Sequence, residues 1–122
     1  MYDLSNKIIL IFGGTGELMS NIGIELLQQN ASIIVIGRNV DTNSLLNKFI
    51  ITEQIEFIKF DILHDDINEL FGQIYDKYKY IDMIINGAGI NSNTSFLNIT
   101  SAEINNIFEI NFNFVVKCCQ LY

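Results

Sequence analysis

The sequence has few basic residues, no proline and no long apolar run. Its 122 residues include seven lysines and arginines against 14 aspartates and glutamates, which gives a formal net charge of −7. The basic residues are scattered, so they form no patch that would neutralise the phosphates of a nucleic acid. No apolar stretch approaches the roughly 20 residues that a membrane-spanning helix needs. We therefore expect a cytoplasmic protein without a nucleic-acid or membrane partner.

Cysteine and histidine are too few and too poorly placed to form a metal site. Cys118 and Cys119 are neighbours, and successive side chains on a helix point about 100° apart, so the pair cannot grip one ion. His64 is the only histidine and has no second histidine or cysteine near it, which favours a loop residue over a ligand. The sequence therefore predicts no metal site and a reduced cysteine pair on or near a core face.

Short apolar runs alternate with amphipathic stretches along the chain. The runs are continuous instead of alternating, which is typical of strands buried on both faces of a sheet. They extend from Ile8 to Phe12, Ile33 to Ile36, Ile55 to Phe60, where Glu56 and Lys59 interrupt the run, and Ile81 to Ile85. Apolar residues recur at helical spacing at Leu18, Ile22, Leu26 and Leu27, and again at Ile67, Leu70, Phe71 and Ile74. A weaker helix is expected from Thr42 to Phe49.

The last segment carries its own start signal. Thr100 and Glu103 have the spacing of a capping box, which predicts a helix from there to near the end of the chain. Alternating strands and helices predict the α/β class, with a parallel sheet and right-handed crossovers. By analogy with doubly wound folds, the strand order is expected to be 3-2-1-4 within a single domain over residues 1–122.

Two glycine turns follow the first and fourth apolar runs. The first is Gly13-Gly14-Thr15-Gly16, and a turn of this kind before a helix lets the backbone approach a pyrophosphate. The second is Asn86-Gly87-Ala88-Gly89. Tight strand-ending turns also need glycine in unrelated folds. If the two strands are adjacent, both turns border one crevice, where open α/β sheets bind ligands.

These two turns, followed by Asn111 in a helix-like segment, resemble the nucleotide-binding half of short-chain dehydrogenases/reductases. The resemblance covers essentially the whole chain and implies a Rossmann-like fold and hydride transfer between a nicotinamide and a small carbonyl or alcohol substrate. It also implies that Asn111 belongs to the catalytic network, with Asn113 as the rival candidate. The catalytic Tyr-x-x-x-Lys of that family is expected after Tyr122, so we expect a chain that lacks the later strands and is inactive alone. The full-length protein is expected to be a homo-oligomer.

The resemblance also implies a set of cofactor-binding residues. They are Gly13, Gly14, Thr15, Gly16, Leu18, Arg38, Asp61, Ile62, Asn86, Gly87, Ala88 and Gly89. After the second strand, Gly37 supplies no carboxylate for a ribose 2′-hydroxyl, whereas Arg38 suits a 2′-phosphate, so NADP is the expected cofactor and NAD the alternative. A solvated arginine in a turn is the competing interpretation of Arg38. Asp61 is expected to meet the edge of the adenine, with helix capping as its alternative.

Four features depart from the family pattern or imitate it. The family's glycine motif has two forms. Gly-x-x-x-Gly-x-Gly places glycine at positions 17 and 19, which are Glu17 and Met19 here, and Gly-x-x-Gly-x-x-Gly does so only at position 19. In the second turn, Gly87 replaces the second asparagine of Asn-Asn-Ala-Gly. Either Glu17 or Met19 is a candidate for weakened cofactor binding. The segment from Tyr75 to Lys79 spells Tyr-x-x-x-Lys but precedes the fourth strand, which indicates a solvated helix end. These departures support the alternative function, a non-catalytic nucleotide-binding or interaction module; an inactive fragment is the third possibility.

Overall fold

A computed structural model describes residues 2–40 and 53–122. The helix expected from Thr42 to Phe49 lies outside the described residues. The strands are β1 (Ile8–Phe12), β2 (Ser32–Gly37), β3 (Ile55–Lys59) and β4 (Met83–Asn86). The helices are α1 (Glu17–Gln28), α2 (Ile67–Tyr78), α3 (Ser101–Phe108) and α4 (Phe114–Leu121), with a π-helical segment, Glu109–Asn113, between the last two. Strands and helices alternate as the sequence predicts.

The four strands form one parallel sheet in the order β3-β2-β1-β4, which confirms the predicted order. Strand β1 is central: Leu10 lies beside Ile34 of β2 on one side and beside Ile84 of β4 on the other. Because β1 and β4 are neighbours, the carboxyl ends of both strands meet at the same edge of the sheet. This adjacency brings the two glycine turns together.

Side chains of the central strands are buried on both faces of the sheet. On one face Leu10 and Phe12 pack with residues of α2 and α4, including Phe71 and Phe114. On the other face Ile9, Ile11, Ile33 and Val35 pack against α1. Burial on both faces explains why the sequences of the central strands are continuous apolar runs.

The fourth strand begins two residues later than the apolar run predicts. Ile81 is buried in the core but precedes the strand. Asp82, the next residue, links the start of β4 to the start of β1. Its carboxylate accepts hydrogen bonds from the Ile8 N–H (2.8 Å) and the Lys7 Nζ (2.9 Å), and these donors lower the pKa of Asp82. The ionised side chain of Asp82 therefore anchors the start of β4.

The last helical region starts as predicted but is not one regular helix. Thr100 and Glu103 form both bonds of the capping box. The helical region extends to Leu121, near the end of the chain as predicted, and five residues around Asn111 are π-helical between α3 and α4. Such segments often mark functional sites. Within the described part of the chain, no helix is long and apolar enough to cross a membrane.

Candidate functional site

A cavity of about 300 Å³ lies at the carboxyl ends of all four strands of this sheet. Nine of the twelve predicted cofactor-binding residues line it: Gly13, Thr15, Gly16, Arg38, Asp61, Ile62, Gly87, Ala88 and Gly89. The other three, Gly14, Leu18 and Asn86, do not. The sequence interpretation did not assign the remaining lining residues, which are Phe12, Ile36, Gly37, Asn39, Phe60, Ile90 and Ile110. Their positions at or next to strand ends are the signal that would have found most of them.

The first turn brings backbone to the cavity edge. Gly13 has φ of 71°, in the left-handed region, and its N–H donates to the Ile36 carbonyl at 2.8 Å. Gly16 is the N-cap of α1, and no side chain caps this helix end. Because the first N–H groups of a helix have no intrahelical acceptor, the start of α1 favours an anion.

Gly14 and Leu18 lie outside the lining of this cavity. Gly14 is buried beneath the turn, where an added β-carbon would lie 2.7 Å from Cγ1 of Val35. Its carbonyl accepts a hydrogen bond from the buried Ser20 hydroxyl at 3.0 Å. Gly14 therefore packs the turn onto β2 without lining the cavity. Leu18 is 71% exposed on α1 and also lies outside the cavity lining.

The second turn contacts the first directly. The Gly87 N–H donates to the carbonyl of Phe12 at 3.0 Å. A β-carbon on Gly13 would stand 2.8 Å from the backbone nitrogen of Ala88. Asn86 faces away from the cavity, and its buried Oδ1 has no hydrogen-bond partner. Asn86 instead lines a second cavity of about 290 Å³, between β4 and α4.

Asn111 binds the chain just beyond the second turn. Its Nδ2 donates to the Ile90 carbonyl at 2.7 Å, and its Oδ1 accepts from the Ile90 N–H at 2.9 Å. Asn111 does not itself line the cavity, whereas its buried neighbour Ile110 does. The two hydrogen bonds satisfy both backbone groups of Ile90, so Asn111 fixes the edge of the cavity that Ile90 forms.

Glu103 holds the segment that follows Ile90. Its carboxylate accepts from the hydroxyls of Ser92 (3.1 Å), Thr94 (2.7 Å) and Thr100, and from the Thr100 N–H (3.0 Å). These donors, led by the Thr100 N–H, lower the pKa of Glu103 to about 2. The sequence predicted Glu103 only as a helix cap, because the contacts with Ser92 and Thr94 depend on the path of the loop.

Arg38 and Asp61 lie on the β2 and β3 side of the cavity. Arg38 is exposed, and Asp61 is half-buried. The Leu63 N–H donates to Asp61 Oδ1 at 2.9 Å and is the main cause of the lowered pKa of Asp61; the charge of Arg38 is a smaller one. Asp61 Oδ2 lies 3.1 Å from His64 Nδ1. Asp61 is thus an ionised acceptor that stabilises the turn of its own loop and also lines the cavity.

Three further features lie outside the cavity lining. Glu17 is exposed in the first turn of α1. Tyr75 is half-buried, with its hydroxyl donating to the Leu121 carbonyl at 3.3 Å, and Lys79 is the left-handed C-cap of α2. The segment from Tyr75 to Lys79 therefore stabilises helix packing, although Tyr75 is less solvated than predicted. Among residues 2–40 and 53–122, no three histidine, cysteine or acidic residues are grouped to hold a metal ion.

Comparisons with known proteins identify the family. A family model described as short chain dehydrogenase matches residues 7–122. A 3-oxoacyl-(acyl-carrier-protein) reductase of Buchnera aphidicola is 30% identical, with 92% of this chain and 46% of that protein covered. A 3beta-hydroxysteroid dehydrogenase of Mediterraneibacter gnavus is 25% identical, with 93% and 43% covered.

A solved structure agrees with these matches. The short chain dehydrogenase from Leptospira borgpetersenii, crystallised with bound NAD+, superposes with a TM-score of 0.84 at 28% identity, covering 98% of this chain and 45% of that one. The chain spans about half the length of the curated relatives it matches. The family match, the sheet order and the two glycine turns lead to one conclusion: the chain belongs to the short-chain dehydrogenase/reductase family.

Proposed function

We propose that this protein binds NADP(H) in the cavity between the two glycine turns, and that the whole protein is an oxidoreductase acting on a small carbonyl or alcohol substrate. The observation that carries the proposal is the convergence of both turns, Arg38 and Asp61 on one cavity. When bound, the nicotinamide supplies the hydride acceptor or donor. The names of the relatives, a reductase and a dehydrogenase, support this reaction class.

Each group at the cavity has a part in this binding. The start of α1 and the backbone of Gly13 and Gly16 receive the pyrophosphate, since backbone approaches closely there and the helix end favours an anion. The carboxylate of Asp61 accepts from the exocyclic amine of the adenine. Asn111 acts through Ile90, which it holds at the cavity edge by two hydrogen bonds. In the whole protein, Asn111 is proposed to belong to the catalytic network.

The preference for NADP over NAD rests on the end of β2. Gly37 offers no carboxylate there, and a β-carbon on it would lie 3.3 Å from the Thr15 hydroxyl. Arg38 follows at the cavity wall with its side chain exposed. A guanidinium binds a 2′-phosphate through charge-assisted, bidentate hydrogen bonds, whereas it offers a 2′-hydroxyl no carboxylate acceptor.

Two further proposals concern the whole protein. Ile104, Phe108, Phe112 and Val116 form an apolar stripe, and the two phenylalanines are each 61% exposed. A stripe of this kind supports association with a second copy, so we propose a homo-oligomer. We place the protein in the cytoplasm, in keeping with its two free cysteines, Cys118 and Cys119.

Calorimetric titration of NADPH and NADH tests the binding proposal. NADPH is expected to bind more tightly, and Arg38→Ala to remove most of the difference by weakening NADPH roughly 10- to 100-fold in Kd. Arg38→Lys is the matched control, since it keeps the charge and loses the bidentate geometry, and its Kd should lie between the two. Equal affinities that Arg38→Ala leaves unchanged would make Arg38 a solvated turn residue. Failure to bind either cofactor would favour a module without nucleotide function.

A further inference from the structure

The side chain of Met19 lies against the backbone of Gly87, so α1 contacts the second glycine turn. A β-carbon added to Gly87 would stand 2.1 Å from Sδ of Met19 and 2.3 Å from its Cγ, so a side chain at position 87 would require Met19 to move. Gly87 does not have the positive φ that Gly13 has, so its backbone conformation does not require glycine. Met19, together with the Phe12 carbonyl at 2.9 Å, is the steric reason for glycine at position 87.

Met19 occupies a point where three parts of the fold meet. It is half-buried on α1 and packs against the core cluster that contains Ile11 and Val35. From there it reaches Gly87, whose N–H is held by the Phe12 carbonyl at the end of β1. An unbranched thioether side chain suits such an irregular space because it bends to fill it. The absence of a side chain at position 87 therefore leaves the space that Met19 occupies.

We propose that Met19 and Gly87 are a complementary pair, in which the methionine fills the space of an absent side chain and positions the Asn86–Gly89 turn at the cavity edge. Both positions depart from the family pattern in opposite directions: glycine is replaced by a larger residue at 19, and asparagine by a smaller one at 87. Met19 is a positioning residue, because it does not line the cavity and acts through Gly87, which does. The effect on cofactor affinity rests on the proposed function, whereas the packing does not.

A double-mutant cycle with Met19→Ala and Gly87→Ala tests the pair. Alanine at position 19 removes the two atoms that would clash and keeps a strong helix former. With Met19 present, Gly87→Ala should lower the melting temperature by about 5–15 °C because it overpacks the turn. In the Met19→Ala background, at least half of that loss should disappear, and the Phe12 carbonyl accounts for the remainder.

Gly72→Ala is the matched control, because an added β-carbon there meets nothing within 4 Å. It should not lower the melting temperature. Additive losses in the double variant would overturn the pair. If Gly87→Ala alone does not fold, a folded double variant supports the proposal, and an unfolded double variant beside a folded Met19→Ala overturns it.

Titration of NADPH on the same variants tests the positioning role. Gly87→Ala, measured below its melting temperature, should bind NADPH roughly tenfold more weakly, and the double variant should return to within about threefold of the original Kd. An unchanged Kd in folded Gly87→Ala would reduce the pair to packing and overturn positioning. If the unaltered protein binds no NADPH, the proposed function fails, while the melting cycle still decides whether the two residues are coupled.

Discussion

The two turns that border the cavity both contain glycine, but different interactions hold them. In the first turn, Gly13 has φ of 71°, a conformation that glycine adopts without strain. In the second turn, neither glycine has a positive φ, and the restraints come from residues distant in sequence. Met19 covers Gly87, and Asn111 binds the backbone of Ile90. The first turn therefore combines contacts with β2 with a backbone conformation that favours glycine, whereas the second depends on its contacts alone.

The largest expected effect comes from adding a methyl group to one turn and then to the other. Gly13→Ala should cost about 2–4 kcal/mol of unfolding free energy, because it strains a positive φ and drives the new carbon to 2.8 Å from the Ala88 nitrogen. Gly89→Ala is the control in the second turn: its carbon would lie 3.5 Å from Oδ1 of Asn111, an ordinary contact. It should cost less than about 1 kcal/mol by urea unfolding. Equal costs would contradict the comparison.

The next largest effect separates the second turn from its distant partner. Asn111→Ala removes both hydrogen bonds to Ile90 and should cost about 1–2 kcal/mol. In amide hydrogen exchange, protection should fall at Ile90 and stay unchanged at Gly13. Asn113→Ala is the control, since the Asn113 Nδ2 donates to Glu109, at 2.9 Å, within its own helical segment. A uniform loss of protection across both turns would show that Asn111 has no local role.

Acidification should loosen the region after the second turn before it affects the first. The folded-state pKa of Glu103 is lowered to about 2 from 4.5, so its stabilising contribution is complete above pH 4.5 and is lost as pH falls through 2. Amide resonances of Ser92 and Thr94 should titrate in that window. Glu103→Gln should abolish the titration, and its persistence in that variant would assign the effect to another carboxylate.

The smallest effect concerns the charge next to the first turn. Glu17 is exposed and does not line the cavity, so the repulsion between its carboxylate and a bound pyrophosphate is screened by solvent. Glu17→Gln should tighten NADPH binding by no more than about threefold at low salt, and the difference should vanish near 1 M salt. A tenfold gain that survives high salt would place the carboxylate closer to the cofactor than the structure does.

Sequence patterns predicted the features that depend on local chemistry. The continuous apolar runs predicted the strands, because burial on both faces of the sheet leaves no alternation of apolar and polar residues. Thr100 and Glu103 predicted the N-terminal cap of α3, because both hydrogen bonds of the capping box form within four residues. The glycine spacing located the first turn for the same local reason. Each of these signals is contained in a short segment.

Features that depend on tertiary contacts were not predictable in this way. The π-helical segment around Asn111 accompanies bonds to Ile90, 21 residues away, and no periodicity shows such a contact. The contact of Met19 with Gly87 joins α1 to the second turn across more than 60 residues of sequence, so the sequence alone showed Met19 only as a bulky residue at a glycine position. The motif predicted Asn86 and Gly14 at the site, and it could not show that Gly14 packs against Val35 or that neither residue lines the cavity.

Residue-resolved NMR during titration with NADP+ tests the central claim most directly, because that claim is that both turns border one dinucleotide site. We predict saturable amide shifts at Gly13, Gly16, Arg38, Ala88 and Gly89, with one common Kd below about 1 mM. The amide resonances of α2, which lies on the far side of the core cluster, should not shift. No shifts at millimolar NADP+ in folded protein, or shifts confined to one of the two turns, would contradict the account.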